Sequence, residues 1–286
     1  MPLCLATQVW HILCTIGPLD IQFPLMPQST TPPPLSVFVI ACNEERRIGE
    51  VIAAAHQLSD DIVVVDSGST DRTVEIAEAA GARVIHHDWA GYGPQKRFAE
   101  DQCRHDWLLN LDADEVLSPE LIEEIRTLLA QGGPPLSMYR IKVTTVYPGD
   151  ERPRWLAEHN DVIRLYDRRV VRFPDHPTWD AITPPKDARV GLLKAPCYHF
   201  SSPGLHHYVD KFNRYTSLQA EKQRLKPYPV LVGRLLFGFP IDFFKAYVLK
   251  RHITGGMYGF VLAFTHAYSR FLRNAKMLER HRLERK

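Results

Sequence analysis

The run from Trp107 to Leu111, WLLNL, limits this chain more than any other stretch. It is apolar on both faces, with only Asn110 interrupting it. A half-exposed strand alternates polar and apolar side chains. One that does not alternate needs cover on both sides, and a parallel sheet flanked by helices supplies it. The run ends in Asp112, Asp114 and Glu115, three acids within four positions. Acids at the carboxyl end of such a strand stand in the crevice where open α/β sheets bind ligands. They repel one another unless a cation or basic groups neutralise them. Oxygen ligands at this spacing suit Mg²⁺ or Mn²⁺ holding a diphosphate. The plainer reading is an acidic turn before a helix, since Ser118-Pro119-Glu120 offers a capping serine and a proline at the first helical position.

The stretches upstream repeat the strand pattern. Leu35 to Cys42, Ile62 to Val65 and Arg83 to His87 read as strands. Between them lie three helical patterns. The first carries Ile48, Val51, Ile52 and Ala55 on one face, with Asn43 expected as its cap. The second carries Val74, Ile76, Ala77 and Ala80, with Ser69 or Thr70 as its cap and Gly81 as its end. The third runs from Pro94 to Cys103. This βαβαβαβ order with short connections predicts a mostly parallel sheet covered by helices. A helix follows over Pro119–Gln131, then strands over Met138–Tyr147 and Val162–Tyr166. Residues 168–198 are expected to be irregular, and the chain to be helical again from about Leu205.

Charge is uneven although the net is only +2. Residues 204–286 hold 16 Lys and Arg against 5 Asp and Glu. That balance implies no nucleic-acid partner for the body and an anionic surface for the tail. Leu225 to Val248 and Met257 to Leu272 are apolar, but prolines and charges such as Pro227, Pro240, Asp242 and Lys245 interrupt the first. Helices lying on an anionic membrane leaflet fit better than a span. A helical pair packed on the catalytic body is the structural alternative. The five cysteines show no paired spacing and read as reduced thiols, and neither they nor the thirteen histidines form a zinc pattern. Residues 1–34 lack a basic start and a cleavage site, and QSTTPPP (28–34) is a linker. They are expected to be a poorly ordered extension. The expected division is 1–34, a catalytic domain over 35–203 (a nucleotide-binding half, 35–115, and an acceptor half, 116–203), and a basic amphipathic helical region over 204–286.

Four motifs then fall in a telling order: IACNEE (40–45), VVVDSGSTD (63–71), GYGPQK (91–96) and LDADE (111–115). Together they resemble the inverting GT-A glycosyltransferases of family 2, with a particular likeness to bacterial lipopolysaccharide-core glycosyltransferases. The resemblance covers about residues 35–275. It implies a GT-A, Rossmann-like α/β sheet with a helical membrane-proximal extension. It implies transfer of a sugar from a nucleotide-sugar donor, UDP-linked by expectation, to a lipopolysaccharide-core or other glycolipid or polysaccharide acceptor at the cytoplasmic face of the inner membrane. Asn43, Glu44, Asp66 and Ser67 would line the nucleotide, Lys96 the phosphate or sugar. Asp112 would contact the ribose or the metal, and Asp114 would hold a divalent cation.

Inversion needs a base for the acceptor hydroxyl. Relatives of this type carry a His-Glu pair where this chain has Trp179-Asp180, which makes Asp180 the candidate, with Asp175 and His176 in reserve. NDVIRLYDRR (160–169) resembles an Arg-rich segment of the family. Asp161 and Arg164 are therefore expected either on the acceptor side or in a structural ion pair. His199 reads as a satisfied core histidine rather than a ligand. Two other classes compete. A sugar nucleotidyltransferase would need a basic glycine-rich loop where Asn43-Glu44-Glu45 is acidic. A non-catalytic nucleotide-sugar binder would not need all the acids of 111–115.

Overall fold

A computed structural model describes residues 34–130, 133–177, 180–201 and 204–284. Residues 1–33, on which the expected extension falls, lie outside the described residues. Seven helices and eight strands are described. In chain order they begin β1 (Leu35–Ala41), α1 (Ile48–Ala55), β2 (Asp61–Asp66), α2 (Thr73–Ala79), β3 (Arg83–His86), α3 (Tyr92–Gln102) and β4 (Trp107–Asp112). Then come β5 (Glu115–Leu117), α4 (Pro119–Ala130), β6 (Met138–Thr145), β7 (His159–Asp167) and β8 (Gly191–His199). Helices α5 (Leu205–Lys222), α6 (Tyr228–Phe244) and α7 (Gly256–Leu283) close the chain.

One sheet has the order β3-β2-β1-β4-β7-β6-β8-β5. Strands β3, β2, β1 and β4 run parallel. The remainder is mixed, since β7 is antiparallel to β4 and to β6 while β8 runs parallel to β6. The chain winds outward from β1 to β3 and returns to place β4 on the other flank of β1. The topology therefore reverses between β1 and β4, where ligands of open α/β sheets bind. In register, Ile40 lies beside Asp112.

The lack of alternation in the strands is explained by two cores. Val37, Val39 and Leu109 pack with α1 and α4 on one face, and Phe38, Val63, Leu108 and Tyr166 with Ala99 of α3 on the other. Large side chains so buried contribute about 1.5–3 kcal/mol each.

Several local expectations are corrected. Asn43 does not cap α1, which begins five residues later. It adopts a left-handed φ of 58°, tolerated by Asn, and its Oδ1 accepts from the Thr70 amide at 2.8 Å. Ser69 and Thr70 do not cap α2 either. Asp71 accepts from the Thr73 amide at its start, and Ser69 donates to Asp66. These side chains hold the β1–α1 and β2–α2 loops together: the Asn43 amide donates to Ser69 and the Glu44 amide to Thr73. Local spacing suggests caps; tertiary proximity gives the same groups better partners. The 168–198 stretch is not wholly irregular, because β8 fills its end and pairs with β5 and β6. Ser118 does cap α4, accepting from Leu121 at 3.1 Å. Cys42, Cys103 and Cys197 are free thiols.

Pro240 lies inside α6, which continues into a π-helical turn over Lys245–Leu249. A small core of Ala220, Leu231 and Met277 joins α5, α6 and α7. The segment between α6 and α7 meets the sheet domain through Tyr147–His252, 2.5 Å, and Lys250–Glu158, 3.0 Å. Among the described residues no helix is long and apolar enough to cross a membrane.

Candidate active site

The β1–β4 switch point opens into a cavity of about 480 Å³. Its floor is the end of β1, Ile40 to Cys42, with Ser67 after β2 and Asp112 to Asp114 after β4. Glu44, Asp180, His199 and Lys211 complete the charged lining, and Trp89 and Tyr92 stand at its side. A second cavity of about 520 Å³ adjoins it, sharing Glu44 and Asp114 and including Asn43, Tyr147, Phe200 and His207. Of the residues expected at the site, Glu44, Ser67, Asp112, Asp114 and Asp180 thus meet in one cavity. Asn43 lines the neighbouring one.

The repulsion inherent in LDADE is relieved mainly by protein cations. Arg164 of β7 reaches Asp112 at 2.6 Å and Glu115 at 2.5 Å, and donates to Asn110. Arg164 does make a structural ion pair, but with Asp112 and Glu115 rather than with Asp161. Burial opposes ionisation of Asp112, but Arg164 and Lys96 outweigh it and hold the carboxyl well below the usual carboxylate range. Burial dominates at Glu115 and pushes it up despite Arg164. Asp161 lies at the exposed start of β7, 3.9 Å from His159, and lines neither cavity.

Lys96 is neither solvated nor open to a ligand. Its side chain is 1% exposed and bridges Asp112 at 3.0 Å and Asp180 at 3.2 Å, above the Phe173 ring. A buried cation between two carboxylates ties the end of β4 to the segment carrying Asp180, a link that no local pattern reveals. The GYG turn serves the same segment. A Cβ at Gly93 would come within 2.3 Å of the Pro174 carbonyl, and one at Gly91, where φ is +113°, within 2.5 Å of Pro177. These glycines admit the 174–177 backbone rather than a ligand. Glu100 anchors its approach, accepting from the Phe173 amide, Tyr166 and Arg172. Asp175 is exposed and lines neither cavity.

Asp66 ends β2 as expected, but its carboxylate accepts from the Gly68 and Ser69 amides and the Ser69 hydroxyl. It shapes the loop that presents Ser67 and lines neither cavity. Ser67 in turn accepts from Gln95 at 3.0 Å.

Asp114 and Glu44 differ from the neutralised acids beneath them. Burial, then the charges of Asp114 and Asp71, push Glu44 up to about 7, with Lys211 and His199 opposing. This wall of the cavity is therefore short of positive charge. Asp114 Oδ2 stands 3.2 Å from His199 Nε2. His199 is thus not simply a core residue. Burial would lower it, but the Asp114 hydrogen bond and nearby acids more than offset that and raise it. The pairing of β5 with β8 sets Glu115 opposite His199, and Phe200 donates its amide to the Asp114 carbonyl. Nothing local in the sequence marks that register.

Among the described residues no group of three or more His, Cys, Asp and Glu could hold a metal ion alone. The Asp114 carboxylate at the cavity wall is of the donor type that Mg²⁺ takes from a protein in phosphate sites, where diphosphate oxygens and water supply its other ligands.

Comparison with known proteins agrees with this geometry. Residues 36–210 match the model of glycosyl transferase family 2. An uncharacterized glycosyltransferase of Rickettsia bellii is 38% identical over 86% of this chain and 86% of its own length. A lipopolysaccharide core biosynthesis glycosyltransferase, LpsC of Rhizobium meliloti, is 32% identical over 88% of this chain and 94% of its own. With all of the parallel strands but the first residue of β1 inside the matched span and such relatives aligned along nearly their full length, this chain belongs to glycosyl transferase family 2 and is a glycosyltransferase with a GT-A-type fold.

Proposed function

We propose that the enzyme transfers a sugar, with inversion, from a nucleoside diphosphate sugar to a glycolipid acceptor of the lipopolysaccharide-core class. UDP is the leading nucleotide. One observation carries the reading: Glu44, Ser67, Asp112, Asp114, Asp180 and His199 reach a single cavity from five separate parts of the chain. The nucleoside would lie against Ile40–Cys42 and Ser67, and the diphosphate near Asp114. Asp66 and Asn43 would contribute by holding the two loops that form this floor. A Mg²⁺ or Mn²⁺ ion held by Asp114 would supply charge stabilisation to the departing diphosphate. The likeness to LpsC supports the acceptor class.

In this reading the acceptor hydroxyl attacks the anomeric carbon from the face opposite the diphosphate. A new carbon–oxygen bond forms, the bond to the phosphate oxygen breaks, and its electron pair leaves with the diphosphate. The acceptor proton passes to Asp180. That carboxylate is 45% exposed and steadied by Lys96 from below, so one oxygen remains open to the cavity. Asp180→Asn is expected to lower turnover about a hundredfold or more, as for loss of a general base, with donor affinity kept. The check is steady-state transfer from a panel of nucleotide sugars with Mn²⁺, with donor binding measured alongside. Wild-type turnover in the variant would remove Asp180 from the reaction.

The catalytic domain is proposed to span 35–203, with 204–286 as a basic helical region that brings it to the cytoplasmic face of an anionic membrane. Leu236, Phe237, Ile241, Phe244, Leu249 and Met257 are exposed, Met257 by 78%. Arg234, Lys245 and Arg251 are exposed in the same part of the chain. Apolar side chains beside cations suit the interface of an anionic bilayer, where each basic residue contributes about 1 kcal/mol. Flotation with phosphatidylglycerol vesicles is expected to carry the protein up. Phe237→Asp with Leu249→Asp should abolish most of that binding. Equal flotation with purely zwitterionic vesicles would count against the electrostatic part.

A further inference from the structure

The cavity wall poses a charge problem that the assigned residues do not solve. It carries four carboxylates, Glu44, Asp112, Asp114 and Asp180. A diphosphate entering there adds further negative charge. The cations beneath are already engaged: Arg164 with Asp112 and Glu115, Lys96 with Asp112 and Asp180. Of the basic residues that line the cavity, His199 pairs with Asp114. Lys211 remains. It makes no hydrogen bond or ion pair with another described residue, and acts at a distance on Glu44.

Lys211 arrives from α5, outside the strands and loops of the sheet. His207, Lys211 and Tyr215 recur every fourth residue and so share one face of that helix. His207 lines the adjoining cavity and Lys211 lines the donor cavity, while Tyr215 lies near Tyr92 of α3, which also lines the donor cavity. Helix α5 thus roofs both cavities. Lys211 is half-buried, and its other side borders a groove between α5 and α7. The matched family segment ends at residue 210, one position before it.

We infer that Lys211 is a catalytic residue that binds the diphosphate of the donor and stabilises it as it leaves. This rests on the donor cavity proposed above. An ammonium on a flexible stem, with all three donors available, suits phosphate oxygens. Being unpaired before the donor enters, it loses no protein partner when it meets them. The helical region is then part of the catalytic apparatus as well as a membrane anchor, because a catalytic domain cut at 203 would lack this cation.

The test compares wild-type protein, Lys211→Met and Lys211→Arg, full length with Mn²⁺, by calorimetric titration. UDP, GDP, ADP and dTDP are titrated first, and whichever binds wild type is compared with its monophosphate. Lys211→Met is expected to weaken the diphosphate about tenfold or more, the scale of one charge-assisted hydrogen bond. The monophosphate should change little, which also reports that the nucleoside floor is intact. Lys211→Arg should keep most of the diphosphate affinity, and turnover should follow the same order. If both ligands weaken together, or neither does, Lys211 is not on the diphosphate and the inference is overturned. If wild type itself binds none of the four diphosphates, the donor-site reading fails first and takes this inference with it.

Discussion

Asp114→Ala is expected to lower sugar transfer on the order of 10³-fold, the scale lost when a preorganised group facing developing charge is removed. Asp112 and Glu115 are held by Arg164 and Lys96, so their role in the fold is independent of Asp114. Asp114 sits in the turn between β4 and β5, partly exposed, and among the described residues its side chain ion-pairs with His199 alone. Removing it breaks one partly exposed contact. Stability should therefore change by no more than about 1 kcal/mol. The pair of measurements is transfer rate against Mn²⁺ concentration and urea unfolding. A variant that turns over at the wild-type rate, or whose loss tracks a large drop in stability, would dismiss the proposed cation role of this acid.

Arg164→Met should act in the opposite way, on the fold before the chemistry. It leaves Asp112 and Glu115 facing each other without their shared guanidinium, and Glu115 is 2% exposed in its side chain. Breaking a buried pair by removing one partner costs about 3–5 kcal/mol. Much of the loss should come from Glu115, since Asp112 keeps Lys96 and some solvent contact. Arg164→Lys should recover part of this, because a lysine supplies charge but not the fork that reaches two carboxylates and Asn110. Urea denaturation decides it. A loss below about 1 kcal/mol for Arg164→Met would mean that the acids find other compensation.

The parallel half of the sheet was legible because its signal is local. WLLNL, LSVFVIA and IVVVD are short apolar runs bounded by turns, and the helices between them show their buried faces at helical spacing. The family likeness added the order of the four motifs; of the residues quoted for it, Glu44, Ser67, Asp112 and Asp114 line one cavity, while Asp66 and Lys96 are engaged beside it. What could not be read was the partner of each polar group. Asn43 and Ser69 have the composition of caps, yet each lies beside the other's loop and bonds there. The glycines of GYG suggest room for a ligand, whereas the chain itself, 174–177, occupies that room. His199 looked internal because its neighbours in sequence are apolar, while strand pairing placed it on Asp114.

The amino-acid sequence by itself determined the α/β class, the succession of strands and helices over 35–117 and the position of the acids at strand ends, because periodicity and burial act between near neighbours. Only the tertiary structure decided which acids are neutralised and which stay open. Arg164 lies 52 residues from Asp112, and Asp180 lies 84 from Lys96. A carboxylate's chemistry depends on the charge and water within a few ångströms, and folding alone brings those distant groups into that range.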